Sequence, residues 1–130
     1  MTQLVWIEAS DVLMLHDRLL ALDGGMAGLR DDALLESALA RPQQLRAYAD
    51  TSDIIDMAAA YTAGLLQNHV FFDGNKRTGF VVGILFLELN GYRFTAAEDA
   101  ATQAVLELTA GTLDDAGYAA FLRENTTTDC

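Results

Sequence analysis

The chain has 130 residues, 52% of them hydrophobic, with 19 acidic against 8 basic side chains, a net charge of −11 and a sequence pI near 4.2. A chain of that length buries one core without staples. Its acidic balance excludes a protein that coats nucleic acid, because neutralising phosphates takes many Lys and Arg. The one cysteine, Cys130, is the last residue, so no internal disulfide forms and a reducing, cytoplasmic setting is expected.

The opening stretch "MTQLVWIEASDVLML" lacks a basic region, apolar core and small-residue cleavage site, so no signal peptide is read there. Its "LVWI" is a short, weak strand signal. Ser10 is placed to cap a helix through "DVLMLHDRLLAL", with Leu13 and Leu20 on one buried stripe, and "DGG" at Asp23 to Gly25 ends it. "RDDALLESALA" reads as a second helix with Asp31 and Asp32 in its first turn, where negative charge suits the dipole, and Pro42 is expected to stop it. Residues Gln43 to Ser52 read as an irregular surface flap.

Ser52 and Asp53 then open a long apolar helix, "IIDMAAAYTAGLLQN", whose small residues point to close packing in mid-domain. After a polar turn, "KRTGFVVGILFLEL" is apolar on nearly all sides, as a central helix is, and Asn90-Gly91 ends it. Its longest clean apolar run, Gly79 to Leu87, stops at Glu88, short of the roughly 20 residues a membrane span needs. "YRF" at Tyr92 to Phe94 is a second weak strand signal. Thr95 with Glu98 makes a capping box ahead of "DAATQAVLELTA", and Thr112 with Asp115 is placed to cap a last helix ending near Arg123. The expectation is an all-α, single-domain bundle over residues 1–125, with 126–130 a frayed tail and two buried helices joined by the polar turn.

That turn, "NHVFFDGNKRTGF" from Asn68 to Phe80, carries the chemistry. From Met57 to Leu87 the only formally charged side chains are Asp73, Lys76 and Arg77, with His69 the one further titratable group. Polar groups in so apolar a setting need partners or a ligand. A helix starting at Asn75 leaves several N–H groups unpaired and carries partial positive charge; Gly74 removes side-chain bulk there, which makes a cradle for an anion such as a phosphate. Lys76 and Arg77 add positive charge in the first turn, against the dipole's preference. A bound polyphosphate offsets that repulsion. Asp73 is a hard oxygen ligand of the kind Mg²⁺ takes, and His69 is suited to accept a proton from an attacking hydroxyl. Phe71 anchors the turn to the core. The bland readings are a helix-end cap for His69, a turn for Asp73-Gly74-Asn75, and solvated charges for Lys76 and Arg77; the order and the uncharged surroundings favour a phosphoryl or nucleotidyl transfer site.

"HVFFDGNKR" resembles the signature of the Fic/Doc family, His-x-Phe-x-Asp/Glu-Gly/Ala-Asn-Gly/Lys-Arg, at His69, Phe71, Asp73, Gly74, Asn75, Lys76 and Arg77. "GGMAGLRDDALLESALARPQ", Gly24 to Gln43, looks like the segment before the core in the Doc branch. Adenylyl-transferring members carry Gly where this chain has Lys76 and a second Arg where it has Phe80. The Asn75-to-Thr78 form is instead similar to Doc (death on curing). That resemblance implies an ATP- and Mg²⁺-dependent kinase toxin acting on a threonine of translation elongation factor Tu. It also implies His69 as general base, Asp73 as Mg²⁺ ligand, and Gly74, Asn75, Lys76 and Arg77 as phosphate-binding residues. No Ser/Thr-x-x-x-Glu-Gly/Asn inhibitory segment is present, so inhibition is expected in trans from a Phd-like antitoxin. AMP transfer to a protein hydroxyl, and a non-catalytic partner-binding module, stand as the alternatives.

Overall fold

The structure is a computed structural model that describes residues 4–48 and 53–128. Six helices and two short strands follow in order among the described residues: α1 (Ala9–Asp23), α2 (Asp32–Tyr48), α3 (Ile54–Gln67), α4 (Asn75–Leu89), β1 (Tyr92–Phe94), α5 (Glu98–Ala110), α6 (Asp115–Glu124) and β2 (Thr126–Thr128). The architecture is all-α, as the sequence reads, with one small antiparallel ribbon in which Tyr92 faces Thr128 and Phe94 faces Thr126.

α3 and α4 form the centre. α3 is buried without a break from Met57 to Leu65, and Val82, Phe86 and Leu87 of α4 are wholly buried against it. The helices approach closely because small residues line their contact. A Cβ on Gly83 would run into Thr62 Oγ1 and lie 3.0 Å from the Ala58 carbonyl. Thr62 Oγ1 instead donates to the Gly79 carbonyl at 2.8 Å, tying one central helix to the other. Trp6 and Tyr61 both pack on Phe86. The Tyr61 hydroxyl accepts the Ile7 N–H at 3.0 Å, and burial pushes its phenol up to about 12.

Several local expectations give way to tertiary context. Glu8, not Ser10, opens α1 through a reciprocal box with Asp11. The α1 stripe centres on Val12 and His16, with Leu13 turned to solvent. Pro42 does not stop α2: the helix continues to Tyr48, so residues 43–48 of the expected flap are helical, and 49–52 lie outside the described residues. Pro42 stands seven residues from Leu35 on the same buried face as Ala38, where apolar contact with α3 offsets the lost N–H bond. Asp53 caps α3 with its own side chain; Ser52 is not described.

α5 starts after Ala97 with no side-chain cap, because Thr95 turns to the Asn125 carbonyl, donating from both N–H and Oγ1. Asp114, not Thr112, caps α6. "LVWI" forms no strand, whereas "YRF" does, because its partner is the segment read as tail. The chain end is therefore held as far as Thr128; residues 129 and 130 are not described.

Candidate functional site

His69 follows α3 in a left-handed conformation, φ +49°, the one positive-φ residue other than glycine among those described. Such a conformation is costly unless the surroundings impose it. Here they do: its N–H donates to the Leu66 carbonyl at 3.1 Å and its carbonyl accepts Arg30 Nη1 at 2.7 Å. The backbone is pinned, and the residue is exposed.

The segment before α2 lies alongside the motif like a short strand. Arg30 N–H donates to the Val70 carbonyl at 2.9 Å, Phe72 N–H to the Gly28 carbonyl at 3.2 Å, and Leu29 bridges Phe71 in antiparallel fashion. Phe71, 1% exposed, plugs the turn into the core as expected. Asn75 closes the turn from the other side: its Oδ1 accepts the Phe71 N–H at 2.9 Å and its Nδ2 donates to the Phe71 carbonyl at 2.7 Å. Its buried side chain is thus committed to the loop, which leaves its backbone N–H facing the helix entrance.

Asp73 is exposed, and each carboxylate oxygen already accepts one N–H: Oδ1 from Gly74 at 3.0 Å and Oδ2 from Met26 at 3.1 Å. A carboxylate has about four lone-pair positions, so both oxygens keep capacity for a cation. Gly74, at φ +80°, is the N-cap of α4 and supplies no side-chain acceptor. The N–H groups of Asn75, Lys76 and Arg77 find no acceptor among the described residues, and the first turn contains no acid. Thr78 Oγ1, buried in the same turn, is also without a partner there.

Lys76 and Arg77 are both exposed; Arg77 Nε meets Asp23 at the end of α1 at 3.0 Å, an exposed pair worth at most about 1 kcal/mol. Both cations border a cavity of about 550 Å³ walled by Phe80, Phe94, Val105 and Leu106. His69 is not among the residues lining it. The structure therefore brings His69, Asp73, Gly74 and Asn75 onto one rigid turn, with Lys76 and Arg77 at the junction between that turn and the cavity. A second cavity of about 470 Å³ between α2, α3 and α6 holds the Arg41–Asp115 pair and none of the motif residues.

The donor set fits a phosphate group: N–H groups without acceptors among the described residues and two cations at one helix tip, with no acid in the first turn of α4 and Asp23 of α1 reaching Arg77 only in an exposed pair. Asp73 beside it fits a hard divalent cation shared with phosphate oxygens. The sequence reading missed His16, whose ring lies under the turn, and Arg30, which grips its entrance. The only local signals were a histidine on the buried stripe of α1 and the glycine-rich run ahead of Arg30.

Comparison with known proteins gives the chain's relatives. A model described as "Fic/DOC family" matches residues 6–87, from the approach to α1 through most of α4. The chain is 33% identical over 85 residues to "Protein kinase doc" of Escherichia phage P1, covering 65% of this chain and 68% of that protein. It is 40% identical over 77 residues to "Toxin Doc" of Mycolicibacterium smegmatis, covering 58% of this chain and 59% of the relative.

Proposed function

The chain belongs to the Fic/DOC family, and from that premise we propose that it is the toxin of a toxin–antitoxin pair. In this reading it moves the γ-phosphate of Mg-ATP to a protein hydroxyl, a threonine of translation elongation factor Tu, and so arrests translation in the cytoplasm. The observation that carries it is the start of α4: Gly74 gives no side-chain cap, three N–H groups lack acceptors among the described residues, and Lys76 and Arg77 crowd the positive end of the dipole. That tip is unfavourable without an anion and favourable with one. The names of the two relatives, a kinase and a toxin, support the same reading.

His69, exposed on a pinned backbone, takes the proton of the incoming hydroxyl. The hydroxyl oxygen forms a bond to the γ-phosphorus as the bond from that phosphorus to the β,γ-bridging oxygen breaks, and ADP leaves. The N–H groups of Asn75, Lys76 and Arg77, with the two cationic side chains, hold the phosphate oxygens in place. Asp73 would hold Mg²⁺, which when bound spreads the charge of the phosphate chain. The cavity beyond Lys76 and Arg77 receives the nucleoside. Phe80 supports phosphate rather than AMP transfer. Where an adenylyl-transferring member has its second Arg, this chain puts an aromatic ring packed edge-on against Phe94 at 5.8 Å. No helix among the described residues is long and apolar enough to cross a membrane. The antitoxin binds in trans; the relative named a toxin supports a partner of that kind.

The test incubates the purified chain with elongation factor Tu, Mg²⁺ and ATP labelled at either the α or γ position. The expected result is γ-label on the target, none from the α position, and loss of at least ~10²-fold in His69→Ala. Label from the α-phosphate would replace this reading with AMP transfer. Growth arrest that survives loss of His69 and Asp73 together would replace it with a binding role.

A further inference from the structure

We propose that His16 is a positioning residue for the motif turn, one that holds the Asp73–Gly74 peptide and thereby aims the Asp73 carboxylate. His16 comes from α1, 57 residues from Asp73 in sequence, and is 2% exposed. Its Nε2 lies 2.8 Å from the Asp73 carbonyl oxygen. A carbonyl only accepts, so Nε2 carries the hydrogen. The ring lies flat on Phe71, centroids 3.6 Å apart and planes 6° from parallel. A Cβ built on Gly74 would stand 3.5 Å from Nε2, so the imidazole forms the floor beneath the turn.

The peptide group between Asp73 and Gly74 is held at both ends. His16 grips its carbonyl, and its N–H donates to Oδ1 of Asp73 at 3.0 Å. The peptide is planar, so rotation about it cannot release one end without moving the other. Turning that plane would break the His16 bond, withdraw the N–H that orients the carboxylate, and disturb the left-handed Gly74 that opens α4. A residue absent from the motif thus fixes both the proposed cation ligand and the proposed phosphate cradle. The functional consequence rests on the reading of Asp73 given above; the positioning itself does not.

Two substitutions separate the hydrogen bond from the packing. His16→Phe keeps a flat ring against Phe71 and loses the donor, whereas His16→Gln keeps an N–H at similar reach and loses the ring. Amide hydrogen exchange by NMR, in the full chain without nucleotide, reads the turn directly. Exchange at Gly74 is expected to speed at least tenfold in His16→Phe, with core amides such as Val82 unchanged, and to stay within threefold of wild type in His16→Gln. With Mg-ATP, half-saturating Mg²⁺ for γ-phosphate transfer is expected to rise at least fivefold in His16→Phe and less than twofold in His16→Gln.

The opposite ordering at Gly74, or no change there in folded His16→Phe, overturns the proposal. If His16→Phe fails to fold, His16→Gln decides alone: wild-type exchange at Gly74 sustains it, and a tenfold acceleration ends it. Faster exchange with an unchanged Mg²⁺ requirement keeps His16 as the positioning residue and removes Asp73 as metal ligand.

Discussion

The two central helices begin in opposite ways. α3 starts at Asp53, whose side chain accepts the Asp56 N–H at 2.9 Å while the Asp56 side chain answers back to the Asp53 N–H. Arg123 of α6 closes on both carboxylates, at 3.0 and 3.3 Å. Burial works to raise the Asp53 carboxyl, but the Asp56 N–H and the Arg123 guanidinium outweigh it and hold it below the ordinary carboxylate range. α4 starts at a glycine with no cap, no acid and two cations. One tip is complete within the protein. Among the described residues the other leaves three N–H groups without acceptors and sets an exposed pair with Asp23 against its cations, so an anion from outside completes it, and the start of α3 shows that this chain uses ordinary capping elsewhere.

Removing both cations should break the contrast most strongly. Lys76→Ala with Arg77→Ala is expected to weaken ATP binding by about 100-fold or more, since charge-assisted bonds contribute about 1.5–3 kcal/mol each. The melting temperature should stay level or rise, because each cation at that tip opposes the dipole by ~0.3–1 kcal/mol. Calorimetry and thermal melts together check both halves; a loss of stability matching the loss of affinity would refute the open-tip reading.

Asp53→Ala should do the reverse: about 1–2 kcal/mol of stability lost with its cap, and ATP affinity unchanged within twofold. The pH dependence has a definite sign. Asp53 titrates lower in the folded chain than its usual 3.8, so its contribution is present above that pH and is lost as pH falls through the folded value. Acid melts of wild type and Asp53→Ala should therefore begin to converge as pH falls below 3.8 and meet once it has passed the lower, folded value.

A stability loss of similar size is expected from Gly74→Ala. Its Cβ has room, 3.5 Å from His16, but φ of +80° costs an L-residue about 1–2 kcal/mol, so stability and ATP affinity should fall together. Asp23→Asn is the mildest change. It frees Arg77 from an exposed pair, so stability should shift by less than about 1 kcal/mol. ATP binding, measured by calorimetry, should tighten two- to fivefold; weaker binding would make Asp23 a support for Arg77 rather than a competitor for it.

The sequence made the open tip legible because its determinants are neighbours along the chain. A polar run of fixed spacing between two apolar helices places Gly74, Asn75, Lys76 and Arg77 on one helix start with no long-range information. The same locality misled at Ser10, Thr95 and Thr112, where a nearby acid or a distant carbonyl won the contest for the cap. It misled at Pro42 as well, where packing outweighed a lost hydrogen bond. The second half of the site was illegible: nothing adjacent to His16 or Arg30 indicates that they reach the Asp73 and His69 carbonyls.

By itself, then, the sequence determined the helical class, the two buried central helices and the charged turn between them, since periodicity and spacing over a few residues suffice for each. Only the tertiary structure decided which groups hold that turn still, that the last described residues pair with Tyr92–Phe94, and that a cavity opens beside Lys76 and Arg77. Those outcomes depend on segments many residues apart competing for the same donors, acceptors and apolar surface. Only the assembled fold resolves that competition.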